Sequence, residues 1–223
     1  FADKILNHLV RAQLAPRASV TGTKAFASPR RLAVFIPEVL VRAADRPAQQ
    51  KLMPVAVALD AAGNATPALL KKLSALGADA AVVPTLKRQM DGKTEALFFD
   101  SIVPGATLAE GLQAALEAAL VGLPIPKMMS YQLADGWSSV NFVRPAHRLV
   151  ALHGAEIVPI SVLGLMSGCE TQGHRFEAAK PVVAIRDADS YAEQLKTEGA
   201  VIAGFAARRA EVERQLKAAA ANE

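Results

Sequence analysis

The chain contains 223 residues, of which 52% are hydrophobic, 21% charged and 5% aromatic. This apolar content is ample for a folded core and excludes a wholly disordered chain. The 25 lysines and arginines outnumber the 21 aspartates and glutamates, which gives a formal net charge of +4. That mild excess permits an anionic partner, but it falls short of the concentrated basic surface of a self-sufficient nucleic-acid binder.

The cysteine content and the apolar stretches bear on the compartment. A single cysteine, Cys169, excludes an internal disulfide and a zinc site built from neighbouring cysteines, and it favours a reducing, cytoplasmic setting. The longest nearly uncharged apolar stretch, 157–166, has about half of the roughly 20 residues that a membrane span needs. We therefore expect no membrane partner. Because the chain begins without Met and ends within an alanine-rich helical pattern, we expect it to be part of a longer protein.

The first part of the chain, 1–122, combines predicted helices with short strands. In chain order the predicted elements are a helix within 4–14, a buried strand at 32–36, a loop at 42–51, a turn at 60–64, a helix capped at 66 and ended at 77, a hairpin of 82–90 with 94–103, and a helix from 107 to 122. The strongest hairpin signal is Asp91-Gly92 between two apolar runs. Thr107, with Glu110 three residues later, matches a capping box.

The remaining part of the chain changes to short strands and turns before it ends in helices. The predicted strands are 138–143, 147–152, 157–163 and 181–185, and the predicted helices are 187–198 and a segment from 202 onward. Asp187 and Asp189 suit the start of the first of these helices as caps.

Helices and strands are therefore mixed without a regular alternation, which predicts an α+β fold with mixed or antiparallel sheets and flanking helices. We divide the chain into three parts. They are an amino-terminal α+β part at 1–122, a strand-rich part of the same module at 123–185, and a helical segment at 186–223 that leads to downstream domains.

Two adjacent arginines, Arg30 and Arg31, stand just before the predicted strand 32–36. Side chains alternate along a strand, so we expect one arginine on each side of it. Two guanidinium groups can bind phosphate bidentately. An ordinary charged strand end is the alternative interpretation.

Two proline-containing segments carry further basic side chains. The prolines in 124–127 hold the backbone extended and present Lys127 from a stiff arm, although the same segment also suits a rigid linker. Arg144 is expected to be extended because Pro145 follows it. His147 lies two residues beyond that proline, and a lone histidine is more often structural than catalytic.

A glycine turn holds the last basic cluster. Gly173 allows unusual backbone dihedral angles and a close approach of another segment, and His174 with Arg175 follows it directly. Cys169 lies nearby in sequence, so a Cys/His nucleophilic pair is a further, weaker interpretation. No GxxxxGK[ST], GxGxxG or HExxH pattern is present, so the residues by themselves indicate basic clusters without a catalytic centre.

In order and spacing, these clusters resemble the amino-terminal region of the beta subunit of bacterial heterotetrameric glycyl-tRNA synthetase. The segments that carry the resemblance are 28–34 (SPRRLAV), 123–129 (LPIPKMM), 142–147 (FVRPAH) and 171–176 (TQGHRF), with further agreement at 60–64 and 202–209. Each segment alone is a weak match, whereas six in the same order span nearly the whole chain. Among the departures, Arg148 stands in place of the family's usual Trp.

The resemblance implies an α2β2 aminoacyl-tRNA synthetase that joins glycine to tRNA. The alpha subunit would hold the glycine and ATP site and use ATP and Mg²⁺, so no cofactor is expected in this chain. The implied partners are the alpha subunit and glycine tRNA in the cytoplasm. The implied fold is similar to the editing-module region of the phenylalanyl-tRNA synthetase beta subunit.

Three functions stay open at this point. The first is tRNA binding together with subunit assembly, without catalytic or metal-binding residues in this chain. Its RNA-facing candidates are Arg30, Arg31, Lys127, Arg144, His147, His174 and Arg175. The second is a structural scaffold that packs on the alpha subunit and exposes an apolar patch when alone. The third is an editing-type deacylase, for which the need is weak because a glycine site excludes larger amino acids sterically. We expect the chain alone not to charge tRNA.

Overall fold

The computed structural model describes residues 1–60, 62–92, 94–125, 127–143 and 145–221. The chain forms two compact units, one of Phe1–Ala43 with Ala106–Glu223 and the other of Ala44–Gly105. Among the described strands, one pair is parallel and the other pairs are antiparallel, and helices flank the small sheets. The predicted α+β class is confirmed. The similarity to the phenylalanyl-tRNA synthetase region stays a prediction, as does the division of the chain at 122 and 185.

Helices and strands are numbered in chain order. The helices are α1 (Ala2–Arg11), α2 (Ser19–Gly22), α3 (Val55–Ala58), α4 (Pro67–Ala75), α5 (Leu108–Val121), α6 (Tyr191–Thr197) and α7 (Phe205–Ala220), with a 3₁₀ helix at Ala80–Thr85. The strands are β1 (Lys24–Ser28), β2 (Arg31–Phe35), β3 (Arg46–Pro54), β4 (Lys87–Asp91), β5 (Thr94–Val103), β6 (Met129–Gln132), β7 (Ser139–Phe142), β8 (Leu149–Val150), β9 (Leu152–His153), β10 (Glu156–Ile157), β11 (Ser161–Val162), β12 (Leu165–Gly168), β13 (Glu170–Gln172) and β14 (Val182–Ala184). Over the described residues, no helix is both long enough and apolar enough to cross a membrane.

The main core of the first unit lies between α1 and α5. The apolar stripe of α1 is buried at Ile5, Leu6 and Leu9, and α5 supplies small and large apolar side chains to the same cluster. Thr107 begins α5, where its side-chain oxygen accepts the Glu110 N–H at 3.3 Å and the Glu110 carboxylate accepts the Thr107 N–H at 2.9 Å. The predicted capping box is confirmed, and the hydrogen bonds that the Glu110 carboxylate accepts from the Thr107 backbone N–H and hydroxyl lower the pKa of Glu110.

A second core in the same unit joins α6 to β14. Val183, Ile185 and Leu195 are buried together there. The buried amide of Gln194 supports this contact, since its Nε2 donates to the Ala184 carbonyl at 2.6 Å and its Oε1 accepts the Arg186 N–H at 3.0 Å. Buried polar groups are tolerated when they are satisfied in this way.

The second unit is a three-stranded antiparallel sheet in the order β3-β5-β4, with α4 contributing to its core. The Thr66 side chain accepts the Leu69 N–H at the start of α4, which confirms that predicted cap. The predicted hairpin is also confirmed, because Asp91 pairs with Thr94 on either side of Gly92, whose φ is +65°.

Several predictions for residues before 100 are wrong. The predicted loop 42–51 is wrong from residue 46 onward, because 46–51 belong to β3, which pairs with β5. It reads as polar because most of its side chains face solvent. Residues 82–85 belong to the 3₁₀ helix rather than to a strand. The predicted strand at 32–36 is only partly buried, and among the described residues it pairs with β1, a strand that the sequence did not indicate.

The strand-rich region is more broken than predicted. The predicted strand 147–152 is interrupted between β8 and β9, and the predicted strand 157–163 is interrupted between β10 and β11. Gly154 lies in the turn between β9 and β10 and Gly164 in the turn between β11 and β12, and both have a positive φ. The helix predicted from 187 begins at 191, because the Asp187 carboxylate accepts the Ser190 N–H at 2.7 Å in a preceding turn.

Candidate nucleic-acid interface

Residues that the sequence placed in separate clusters line one cleft in the first unit. The cleft has a cavity volume of about 1670 Å³, and apolar side chains of α1 and α5 form part of its lining. Three segments form its polar wall: the turn after β1 with the start of β2, the segment before β8 and the segment after β13. The predicted RNA-facing residues that they contribute are Arg30, Arg31, His147, His174 and Arg175.

Arg30 lies at the tip of the β1–β2 hairpin. Ser28 pairs with Arg31, which leaves Pro29 and Arg30 as the two turn residues. The expected alternation of the two arginines along one strand is therefore wrong, because Arg30 precedes the strand. The Arg30 N–H donates to Ser28 Oγ at 3.3 Å. Within the described part of the chain its guanidinium has no hydrogen-bond or ion-pair partner, and it is exposed.

Arg31 has a different role from its neighbour. Its Nη2 donates to the backbone carbonyl of Gln172 in β13, so the guanidinium ties the hairpin to the segment that continues into Gly173. Its positive charge also acts on Tyr191 at the start of α6. Arg31 therefore joins two walls of the cleft, and Arg30 is the more available cation of the pair.

A close backbone approach fixes the Gly173 segment. The Gly173 N–H donates to the Pro181 carbonyl at 3.0 Å, and the His174 N–H donates to the Gly199 carbonyl at 2.6 Å. A Cβ atom at Gly173 would lie 2.8 Å from the Lys180 carbonyl oxygen and 3.1 Å from the Gly199 Cα. Glycine is required there because two backbone segments meet at this position.

His174 and Arg175 project from this turn. His174 Nδ1 accepts the backbone N–H groups of Phe176 and Glu177 at 3.3 and 3.2 Å, so in the neutral imidazole the proton lies on Nε2. The Arg175 guanidinium lies 5.5 Å from the centre of the exposed Phe176 ring. The turn thus presents an N–H donor and an arginine–aromatic pair.

The chemistry of hydrolysis or of a metal site has little support in this cleft. Cys169 is half-buried, and it is not among the described residues that line the cleft. Over the residues that the structure describes, no group of three or more His, Cys, Asp or Glu could hold a metal ion. The arrangement can bind anions and stack on planar groups.

Comparisons with known proteins decide the family. A family model described as glycyl-tRNA synthetase beta subunit matches residues 1–223. The chain belongs to this family. It is 74% identical over 196 residues to the glycine–tRNA ligase beta subunit of Leptothrix cholodnii, which covers 88% of the chain. It is 63% identical to that of Dechloromonas aromatica and 60% identical to that of Methylobacillus flagellatus, each over 226 aligned residues and 99% of the chain.

The chain spans only part of these glycyl-tRNA synthetase beta subunits. It covers 28% of the Leptothrix protein, 31% of the Dechloromonas protein and 32% of the Methylobacillus protein. The part that it covers is amino-terminal. The predicted family membership is thereby confirmed.

Two further predicted RNA-facing residues of this family member are Lys127 and Arg144. Lys127 is exposed just before β6, and it is not among the described residues that line the cleft. Arg144 lies outside the described residues. Their RNA-facing role stays a prediction.

The predicted RNA-facing residues did not include Arg148, an arginine of the cleft. Arg148 lines it, and its Nη1 forms an ion pair with Glu170 Oε2 at 2.6 Å. The signal was present, because Arg148 directly follows the predicted residue His147. Its carboxylate partner, in β13, could not be inferred from sequence.

Tyr191, which also lines the cleft of this synthetase-family chain, gives a pH-dependent prediction. Burial raises the pKa of its hydroxyl above the ordinary 10.0, and the Arg31 charge opposes this rise. The folded protein therefore holds the proton to higher pH than the unfolded chain, so the free energy of unfolding falls as pH rises above about 10.

The chain has two tyrosines, so Tyr191→Phe leaves Tyr131 as the only phenol. We expect a tyrosinate absorbance titration of the wild type to contain a late-ionising phenol that Tyr191→Phe lacks. The alkaline loss of stability should also be smaller in this variant. Equal stability losses in the two proteins would show that Tyr191 is not the group responsible.

Proposed function

We propose that this chain is the part of a glycine–tRNA ligase beta subunit that contacts tRNA through the cleft and takes part in assembly with the alpha subunit. In this proposal glycine activation, with ATP and Mg²⁺, belongs to the alpha subunit. The observation that carries the proposal is that Arg30, His147 and the neighbouring pair His174 and Arg175, which come from three segments far apart in sequence, line one cleft with exposed side chains.

The chemistry of these side chains suits RNA. Guanidinium groups bind phosphates bidentately and also stack on bases. The exposed Phe176 ring beside Arg175 offers an aromatic face, and unpaired bases stack on such faces in single-stranded RNA. His174 Nε2–H is a donor for a phosphate or sugar oxygen. Arg31, which is already bound to Gln172, serves chiefly to position the hairpin.

The test removes two exposed cationic side chains that contribute little to the stability of the fold. Arg30→Ala with Arg175→Ala deletes two exposed guanidinium groups, and hydrogen bonds to charged groups contribute about 1.5–3 kcal/mol each. We expect the affinity for glycine tRNA to fall at least about tenfold, with an unchanged melting temperature. Binding is measured by fluorescence anisotropy at fixed salt concentration.

A matched control removes the same charge elsewhere. Arg17→Ala with Lys217→Ala deletes two exposed cations that are not among the described residues lining the cleft. The control should lose much less affinity than the cleft variant. Equal losses in the two variants would mean that tRNA senses only the net charge, and the assignment of the cleft would then be wrong.

A further inference from the structure

The turn after Gly173 carries three consecutive planar side chains, those of His174, Arg175 and Phe176. The Arg175 guanidinium carbon lies 5.5 Å from the centre of the Phe176 ring, within the range of a cation–π contact. The imidazole of His174 meets the same ring edge-on, with ring centroids 6.3 Å apart. The phenyl ring is therefore oriented by its two neighbours in the chain.

The Phe176 ring is exposed although the turn that carries it is anchored. Phe176 is 81% exposed and belongs to none of the three buried cores of the described residues. The Ala178 N–H donates to the His174 carbonyl at 3.2 Å, and the His174 N–H donates to the Gly199 carbonyl at 2.6 Å. A single exposed apolar side chain is ordinary on a protein surface. This one stands on a fixed turn beside Arg175, which lines the cleft, so little ordering is needed when a ligand binds.

A second arginine–phenylalanine pair of the chain has a different arginine. The Arg208 guanidinium carbon lies 5.7 Å from the centre of the Phe205 ring, which is 66% exposed. The Arg208 guanidinium is already bound, because it donates to the carbonyls of Ile202 and Ala27, each at 2.9 Å. Within the part of the chain that the structure describes, the Arg175 guanidinium has no hydrogen-bond or ion-pair partner. Arg175 is therefore available to an anion, whereas Arg208 is structural.

The combination of a free guanidinium and an exposed ring favours unpaired nucleotides over a double helix. In an A-form helix the bases stack on one another and side chains cannot read the deep, narrow major groove, so proteins bind duplexes through phosphates and 2′-hydroxyls. An exposed phenyl ring adds nothing to such contacts. The bases of an unpaired segment can instead be splayed out and stacked on aromatic rings or guanidinium planes. A cationic groove with aromatic side chains is accordingly the usual means of binding a single strand.

We propose that the edge of the cleft at 174–176 binds an unpaired nucleotide of tRNA. The base stacks on the Phe176 ring, the Arg175 guanidinium binds a neighbouring phosphate, and His174 Nε2–H donates to a phosphate or sugar oxygen. This assignment rests on the proposed function, and it adds which kind of RNA segment the cleft takes. The unpaired 3′ end and the loops of tRNA share this chemistry, and the test distinguishes them.

The test compares side chains at position 176 by fluorescence anisotropy with labelled glycine tRNA. Phe176→Leu keeps an apolar side chain and removes the stacking face, and we expect the affinity to fall at least about fivefold. Because no charge changes, the slope of log affinity against log salt concentration should stay as in the wild type. Phe176→Tyr keeps a ring and should stay within about twofold of wild-type affinity. Phe205→Leu is the matched control and should also stay within about twofold.

Competition with RNA probes separates unpaired from paired nucleotides. An RNA of about 12 alternating cytidines and adenosines, which forms no pairs with itself, displaces labelled tRNA, and so does the same RNA annealed to its complement. We expect the single strand to compete at least about tenfold better than the duplex, with a smaller advantage in Phe176→Leu. Glycine tRNA trimmed of its unpaired 3′ nucleotides then gives the location. Loss of the Phe176→Leu effect in trimmed tRNA places the nucleotide at the 3′ end and its persistence places it in a loop, and either result supports the proposal.

Three results would overturn the stacking contact. They are wild-type affinity in Phe176→Leu while Arg30→Ala with Arg175→Ala loses affinity, equal losses in Phe176→Leu and Phe205→Leu, and a duplex that competes as well as the single strand. Failure of the arginine variant to lose affinity would instead contradict the proposed contact of the cleft cations with tRNA, whatever the Phe176 variants do.

Discussion

Gly173→Ala is expected to destabilise the first unit by about 1–3 kcal/mol, the usual cost of overpacking. The added Cβ would lie 2.6 Å from the Ala178 Cβ and 2.8 Å from the Lys180 carbonyl oxygen. Backbone atoms cannot rotate away as a long side chain can, so the segment itself must shift. The free energy of unfolding is measured by urea denaturation.

The same shift should reach the cleft. Gly173 lies between Gln172 and His174. The Gln172 carbonyl accepts a hydrogen bond from the Arg31 guanidinium, and the His174 N–H donates a hydrogen bond to the Gly199 carbonyl. We therefore expect Gly173→Ala to weaken tRNA binding as well. Gly168→Ala is the matched control, because a Cβ there meets nothing within 4 Å and its φ lies outside the left-handed region. Equal free energies of unfolding for the two variants would contradict the close backbone approach at Gly173.

Leu195→Ala is expected to cost about 2–5 kcal/mol, the usual range for a truncated core leucine. Leu195 is 0% exposed and packs in the core that joins α6 to β14. Removing it leaves a cavity beside Val183 and Ile185, where neighbouring strands limit how far the structure can collapse. The loss is measured as a change in urea midpoint at constant denaturant slope.

The control for this variant is another leucine. Leu216 in α7 is 65% exposed, so Leu216→Ala should change stability by less than about 0.5 kcal/mol. If Leu195→Ala cost no more than this control, the second core would not contribute to folding in the way that its burial indicates.

Local signals in the sequence account for the elements that were predicted well. Thr66 and Thr107 cap helices through side-chain hydrogen bonds to nearby backbone groups, so residues three positions apart suffice to place α4 and α5. Asp91-Gly92 behaves likewise, because a two-residue turn depends on its own backbone dihedral angles. The sequence could therefore identify these elements without knowledge of the fold.

Strands that depend on pairing with another segment were missed, because the local sequence does not show that pairing. β3 is polar, and only its pairing with β5 makes it a strand. β6 was missed although its partner β7 was predicted, because all four residues of β6 are exposed and give no pattern of buried positions.

The candidate site, too, could be predicted from the sequence only in part. Its residues could be named from basic clusters and from the family resemblance, whereas their convergence on one cleft depends on tertiary structure. Nothing local could show that Arg31 binds the Gln172 carbonyl, 141 residues later. The same holds for the ion pair of Arg148 with Glu170.

The measurement that tests the central claim most directly is the salt dependence of binding between this chain and glycine tRNA. Each phosphate contact contributes about −0.7 to −0.9 to the slope of log affinity against log salt concentration. We predict a clearly negative slope for the wild type that becomes shallower by about one to two units in Arg30→Ala with Arg175→Ala. A slope that is the same in this variant as in the wild type, or no binding at low salt, would contradict the account.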